Sequence, residues 1–127
     1  KSFYDYVAKK YNAEAGFITM NLPKLLSVLN SVGIENPIVC ASINSAGFRM
    51  SGGKELYEQT LKQGKARVVA MQVLSGGAVS AKEAIEYVCN LPNIESILFG
   101  ASSRGNINET ASLIRQFDRK TELSESK

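Results

Sequence analysis

Apolar residues recur along this chain with two spacings, one typical of helices and one typical of buried strands. The helical spacing is clearest over residues 22–32, where leucine and valine stand at every third or fourth position before Gly33 ends the run. Residues 37–41 and 67–71 instead form short, nearly continuous apolar runs. Continuous runs mark strands that are covered on both faces, as in parallel sheets. The pattern therefore predicts an α/β protein with parallel strands.

The two spacings alternate along the whole chain. An opening helix ends near Asn12, and each of the following strands is succeeded by a helix. Strands are predicted at residues 15–19, 37–41, 67–71 with an extension toward Leu74, and 96–99. The first two helices after the opening one are predicted at residues 22–32 and from Leu56 to Gly64. The next helix runs from the capping box Ser80–Glu83 to Pro92, and the last carries Ile107, Ala111, Ile114 and Phe117 on one face. Such alternation predicts right-handed crossovers and one parallel sheet.

The length of 127 residues fits one domain, which we place at residues 1–120, followed by a polar tail at 121–127 that we expect to be disordered. Four consecutive parallel βα units fit two architectures. The short strands and small repeat favour half of a TIM-type (β/α)8 barrel. The alternative is an open, doubly wound parallel sheet.

Composition excludes several classes of function. The formal net charge of +3 comes from charges scattered along the chain, which predicts no nucleic-acid partner. The apolar runs are too short to span a membrane and no signal peptide is evident, so we expect a cytoplasmic protein. Cys40 and Cys89 lie in apolar runs and histidine is absent, which predicts buried reduced thiols and no metal site. Because the chain starts at Lys1, an excised segment and a complete product both stay open.

Two loops rich in small residues follow the third and fourth predicted strands. Ser75-Gly76-Gly77 and the stretch from Gly100 to Arg104 should meet at one edge of the sheet, because parallel strands end on the same side. Backbone N–H groups, hydroxyls, the Arg104 charge and the next helix N-terminus are together suited to a phosphate. The alternative is an ordinary turn, with a serine or Asn106 serving only as a helix cap.

The last two units resemble the C-terminal half of the aldo-keto reductase family. The resemblance rests on residues 68–77, 83–88 and 97–103, with Asn106 and Glu109 behind them. In that family these segments are similar to the seventh strand, the helix after it, and the eighth strand with its cofactor-phosphate loop. The resemblance implies possible NADP or NAD binding by Ser75, Gly76, Gly77, Gly100, Ala101, Ser102, Ser103, Arg104, Asn106 and Glu109.

The chain also departs from that family. Members carry an Asp, Tyr, Lys and His set on their first four strands, and this chain has no counterpart of that half and no histidine. Ile18-Thr19 stands where the family has a Ser-Asn pair, and Ile43 where an aromatic residue stacks on the nicotinamide. The resemblance therefore implies no catalytic residues and no activity for the isolated chain.

Three functions stay open on this basis. The leading interpretation is a C-terminal fragment of an aldo-keto-reductase-like oxidoreductase that keeps a cofactor-phosphate site and binds a phosphate-bearing small molecule. The alternatives are a non-enzymatic α/β binding or assembly module, and a fragment of a phosphate-binding aldolase or isomerase barrel. A half-barrel leaves two edge strands and one apolar face uncovered, so we expect self-association or a missing N-terminal half to cover them.

Overall fold

The computed structural model describes residues 2–100 and 103–125, with side chains as far as Phe117. Helices and strands alternate through these residues, as the hydrophobic pattern predicts. The helices are α1 (Ser2–Tyr11), α2 (Leu22–Ser31), α3 (Lys54–Lys62), α4 (Ala81–Cys89) and α5 (Arg104–Glu125), and the strands are β1 (Phe17–Thr19), β2 (Ile38–Ser42), β3 (Arg67–Met71) and β4 (Ile94–Ile97).

The described strands form one parallel sheet in the order β1-β2-β3-β4. The predicted α/β class and parallel sheet are confirmed. A doubly wound sheet reverses its strand order where the chain moves to the opposite face. This order has no reversal, so the doubly wound alternative is not the topology of this sheet. Successive strands are neighbours in the sheet, and residues of the helices that follow them pack with one face of the central strands.

Several element ends differ from the predicted ones. β3 stops at Met71 instead of extending toward Leu74, because Gln72 adopts a left-handed conformation with φ 54°. β4 begins at Ile94, two residues before the predicted start, and a register shift opposite Val68/Val69 accommodates the difference. α4 ends at Cys89, before Pro92, with Asn90 as its C-cap. α5 continues as far as Glu125 into the segment predicted to be a disordered tail, and residues 126 and 127 lie outside the described residues.

The hydrophobic core lies between the sheet and the helices. Val39, Ala41, Val68 and Ala70 alternate along the two central strands and are almost completely buried. They pack in one cluster with residues that α2, α3, α4 and α5 contribute, namely Leu22, Leu29, Tyr57, Leu61, Ala84, Ile85, Val88 and Phe117. The alternation assigns one face of the sheet to this core.

The opposite face of the sheet, which we call the open face, is largely apolar and partly exposed, and it also holds Ser42, Ser96 and the charged Arg67. Register and alternation place Ile18, Cys40, Val69, Met71 and Leu98 on it. Ile18 is 76% exposed and Leu98 58% exposed, while the other three side chains are half-buried. No element among residues 2–100 and 103–125 covers these side chains as the helices cover the other face.

Neither of the two cysteines is fully buried, contrary to the prediction. Cys40 is half-buried on the open face, and Cys89 is half-buried at the end of α4. Partial burial raises the pKa of the Cys40 thiol, because the surroundings disfavour the charged thiolate. The thiol is therefore a weak nucleophile at neutral pH.

Local contacts explain why two helices begin where they do. The Asn21 side chain accepts a hydrogen bond from Lys24 N–H at 3.2 Å, and Pro23 lies in the first turn of α2. The Ser80 hydroxyl accepts one from Glu83 N–H at 3.2 Å at the start of α4. This contact confirms Ser80 as the helix cap that the capping-box pattern predicts.

Candidate functional site: a cleft at the carboxyl ends of β3 and β4

A cleft of about 700 Å³ opens where β3 and β4 end. Ligands of parallel α/β proteins bind at this edge, outside the carboxyl ends of the strands. Its apolar walls come from the loop after β2, from β3 and the loop after it, and from the residues after β4: Phe48, Met71, Val73, Leu74, Leu98 and Phe99. The cleft is thus continuous with the open face, to which Met71 and Leu98 belong.

The structure brings part of the predicted cofactor site together. Ser75, Gly76, Gly77 and Gly100 all line the cleft, so the first loop and the first residue of the second lie at the same cleft. Ser103, Arg104, Asn106 and Glu109 lie exposed at the start of α5 and do not line it, and the predicted Ala101 and Ser102 lie outside the described residues. Binding by these residues stays a prediction.

The Ser75–Gly77 segment is a single 3₁₀ turn in which all three residues have positive φ, at 52°, 65° and 91°. The N–H groups of Ser75 and Gly77 already donate to Gln72 O at 3.1 Å and Leu74 O at 2.8 Å. The Ser75 hydroxyl is buried and has no hydrogen-bond partner among the described residues. A buried hydroxyl without a partner is rare, because it loses its hydration without compensation. The turn therefore holds one buried hydroxyl without a partner among the described residues.

The start of α5 is capped by its own chain. The Ser103 hydroxyl accepts a hydrogen bond from Asn106 N–H at 3.1 Å, and Ser103 O accepts one from Ile107 N–H at 3.1 Å. Ser103 is thus a helix cap, as the alternative interpretation predicts. The first N–H groups of a helix also carry a partial positive charge from the helix dipole, and the Arg104 side chain adds a full charge beside them.

Sequence reasoning missed a buried polar network behind the cleft. Asn44 is fully buried and its amide holds the loop that carries Phe48: Nδ2 donates to Phe48 O at 2.9 Å, and Oδ1 accepts from Phe48 N–H at 2.7 Å. Asn44 Nδ2 also donates to Gln72 O at 3.3 Å, and the Ser42 hydroxyl donates to Gln72 Oε1. The network positions Phe48 and Gln72, two lining residues, against each other. The available signal was the position of Ser42 and Asn44 at the end of a buried parallel strand.

Charge is confined to the rim of the cleft. The residues that line it carry no ionisable side chain. The exposed Arg49 lies beside it, with its guanidinium carbon 5.1 Å from the centre of the Phe48 ring. The cleft therefore combines an uncharged lining with one arginine next to the Phe48 ring.

The positions that depart from the aldo-keto reductase pattern lie away from the cleft. Ile43 is completely buried in the core, and Ile18 lies on the open face. The Thr19 hydroxyl accepts a hydrogen bond from Asn21 N–H at 2.9 Å and so closes the turn before α2.

Comparison with protein-family models, with curated proteins and with solved structures gives no match to this chain. In the part of the chain that the structure describes, no three His, Cys, Asp or Glu side chains gather as a metal site would require. The helices of the same part include none that is long and apolar enough to cross a membrane.

Proposed function

We propose that the chain is one half of a (β/α)8 barrel of the aldo-keto reductase type, and that it supplies the cofactor-phosphate end of a nucleotide site. The observation that carries the proposal is the one-sided sheet: four sequential parallel strands with helices on one face and an apolar face left open. In a complete barrel such a face points inward and packs against the remaining strands.

The barrel could be completed by a second copy of this chain or by a half with a different sequence. The positions of α1 and α5 favour the half with a different sequence. α1 lies at the β1 edge on the helix side, where Tyr4 stacks on Phe17 with ring centres 6.1 Å apart. α5 packs on α4 at the opposite edge. If two copies closed a barrel edge to edge, each copy would contribute four strands but five described helices. At each junction between the copies, α1 of one copy and α5 of the other would then compete for the same place. Two copies can instead pack open face to open face.

The phosphate of a bound NADP or NAD is assigned to the start of α5, next to the Gly100 end of the cleft. Arg104 and the helix dipole supply positive charge there, and Gly100 leaves room for close approach of the backbone. The remainder of the nucleotide would extend into the uncharged cleft.

The isolated chain is expected to show no reduction of aldehydes or ketones with NADPH or NADH. The sequence holds no histidine and no counterpart of the family's first four strands, so no group is placed to donate the proton that accompanies hydride transfer. Absorbance of the reduced cofactor should fall no faster than in buffer alone. A rate clearly above that background for the purified chain would contradict the proposal.

Replacing Arg104 with Ala should weaken the binding of NADP by about 1–2 kcal/mol, the scale of one charge-assisted hydrogen bond. Calorimetry with NADP and with inorganic sulfate measures the loss. Arg115→Ala is the matched control, since this exposed arginine lies on the same helix away from its N-terminus. Equal affinities for the native chain and the Arg104 variant would contradict a phosphate site at the start of α5. Ser103 would then serve only as a helix cap.

The open face also favours a second candidate, a non-enzymatic assembly module, because an exposed apolar surface of this kind marks an interaction site. Such a module would associate normally while binding neither NADP nor sulfate in the same calorimetry. A fragment of an aldolase or isomerase barrel would use the same cleft, and binding of a sugar phosphate without binding of the dinucleotides would favour it.

A further inference from the structure

A second cavity lies at the other end of the sheet from the cleft, beside the residues that precede β2 and β3. We propose that this cavity binds a free α-amino acid with a small branched apolar side chain, such as leucine. Its lining combines apolar side chains with one carboxylate and one ammonium group from two neighbouring loops. It shares no residue with the cleft, so the inference goes beyond the proposed function and does not depend on it.

The apolar part of the cavity suits the side chain of a small metabolite. Leu29, Ile34 and Pro37, which are buried, line it together with the half-buried Leu26. The cavity volume is about 240 Å³, less than the roughly 300–1,000 Å³ of pockets that hold drug-sized ligands. A branched aliphatic side chain can leave water there, and this burial of apolar surface favours binding.

The polar part of the lining carries charges of both signs. Glu35 belongs to the loop between α2 and β2, and Lys65 belongs to the loop between α3 and β3. These two strands are neighbours in the sheet, so the two loops lie side by side. Both residues are exposed, and neither forms an ion pair among the described residues. Asn30 and Asn36 also line the cavity, and their amide side chains can both donate and accept hydrogen bonds.

This combination of charges matches a zwitterion better than a ligand with one charge. The ammonium group of an amino acid can lie beside the Glu35 carboxylate while its carboxylate lies beside the Lys65 ammonium group. An amine or a carboxylic acid with the same side chain would satisfy only one of the two. Because both protein charges stay partly in water, each contact contributes a modest factor to the affinity.

Contacts outside the cavity hold both loops in place. Arg67 donates from Nε and Nη2 to Asn36 O at 3.0 and 2.9 Å, and its N–H donates to Pro37 O at 2.8 Å. At the end of α3, Leu61 O accepts a hydrogen bond from Asn93 Nδ2 at 2.7 Å. A site that is formed before the ligand arrives spares the complex the cost of ordering the loops.

Leucine and two analogues that each lack one charge test the inference. Leucine, isoamylamine and isocaproate share the branched side chain, and each is titrated into the ¹⁵N-labelled chain at neutral pH. Leucine should shift the amide signals of Glu35, Asn36, Gly64 and Lys65, because these residues line the cavity. Its affinity should be about fivefold above that of either analogue, the effect of one partly exposed ion pair.

Two substitutions assign the two charges to the two ends of the ligand. Glu35→Gln should weaken leucine and isoamylamine about fivefold without weakening isocaproate. Lys65→Gln should weaken leucine and isocaproate about fivefold without weakening isoamylamine. Glu55→Gln and Lys62→Gln are the matched controls, because both residues are exposed on α3 and neither lines the cavity. All four variants change exposed residues and should fold like the native chain.

An absence of shifts with leucine would overturn the inference, and so would equal affinities for leucine and the two analogues. Equal effects of the lining and the control substitutions would also overturn it, because the charges would then act only through the net charge of the chain. The titration does not involve the cleft or Arg104, so its failure would leave the proposed phosphate site standing. Loss of NADP and sulfate binding would likewise leave the amino-acid site standing.

Discussion

Replacing Val68 with Ala should lower the free energy of unfolding by about 2–3 kcal/mol, whereas replacing the adjacent Val69 should lower it by less than about 1 kcal/mol. Both are valines in the middle of β3, so the change in volume and in strand propensity is the same. Val68 is 1% exposed under the helices, and its truncation leaves a cavity in the core. Val69 lies half-buried on the open face, where water already reaches it.

Urea unfolding followed by circular dichroism measures both losses, at a concentration where light scattering gives the mass of a monomer. Because the two substitutions are identical and adjacent, the difference between their losses in stability reports how deeply each face of the sheet is buried. Similar losses for the two valines would mean that both faces of β3 are covered in the monomer, and the one-sided sheet would be wrong.

Replacing Tyr57 with Phe should cost about 2–4 kcal/mol of stability, because a buried backbone N–H and a partly buried carbonyl lose their partner at once. Tyr57 is 0% exposed. Its hydroxyl donates to Met20 O at 3.1 Å and accepts from Leu22 N–H at 3.1 Å, and it thereby ties α3 to the turn between β1 and α2. The ring remains in the variant, so the loss reports the hydroxyl alone.

Tyr87→Phe is the matched control for Tyr57. The Tyr87 hydroxyl donates to Glu58 Oε1 at 2.6 Å between α4 and α3, but the residue is only half-buried and water can replace the lost bond. The expected loss is about 1 kcal/mol or less. Partial burial and the neighbouring Glu58 raise the pKa of Tyr87, so its contribution is present below the ordinary tyrosine pKa and is lost at higher pH. Equal losses at neutral pH for the two variants would contradict the part assigned to Tyr57.

The order and type of the elements could be predicted from the sequence because they depend on local pattern. The Leu22–Ser31 helix, the Arg67–Met71 strand and the Ser80 cap each follow from the spacing of apolar residues or from one capping side chain. The end of β3 and the start of β4 could not be predicted, since they depend on the left-handed Gln72 and on a register shift between strands.

In the candidate site too, features set by local pattern could be predicted from the sequence, and features set by tertiary contacts could not. The convergence of Ser75–Gly77 and Gly100 on one cleft follows from parallel strands ending at one edge, which the alternation predicts. The part of Asn44 could not be predicted, because its hydrogen bonds join a loop to the carbonyl of Gln72, 28 residues away. Burial of Ile43 likewise depends on packing in three dimensions and not on its neighbours in the chain.

Light scattering with an apolar fluorescent dye is the most direct measurement of the central claim, that one apolar face of the sheet lies open and needs a partner. At micromolar concentration the chain should scatter as a dimer or larger, and dye fluorescence should fall as the mass rises, because association buries Ile18 and Leu98. Ile18→Lys and Leu98→Lys should both shift the mass toward the monomer. A clean monomer of 13.8 kDa that binds no dye would contradict the open face and the half-barrel built on it.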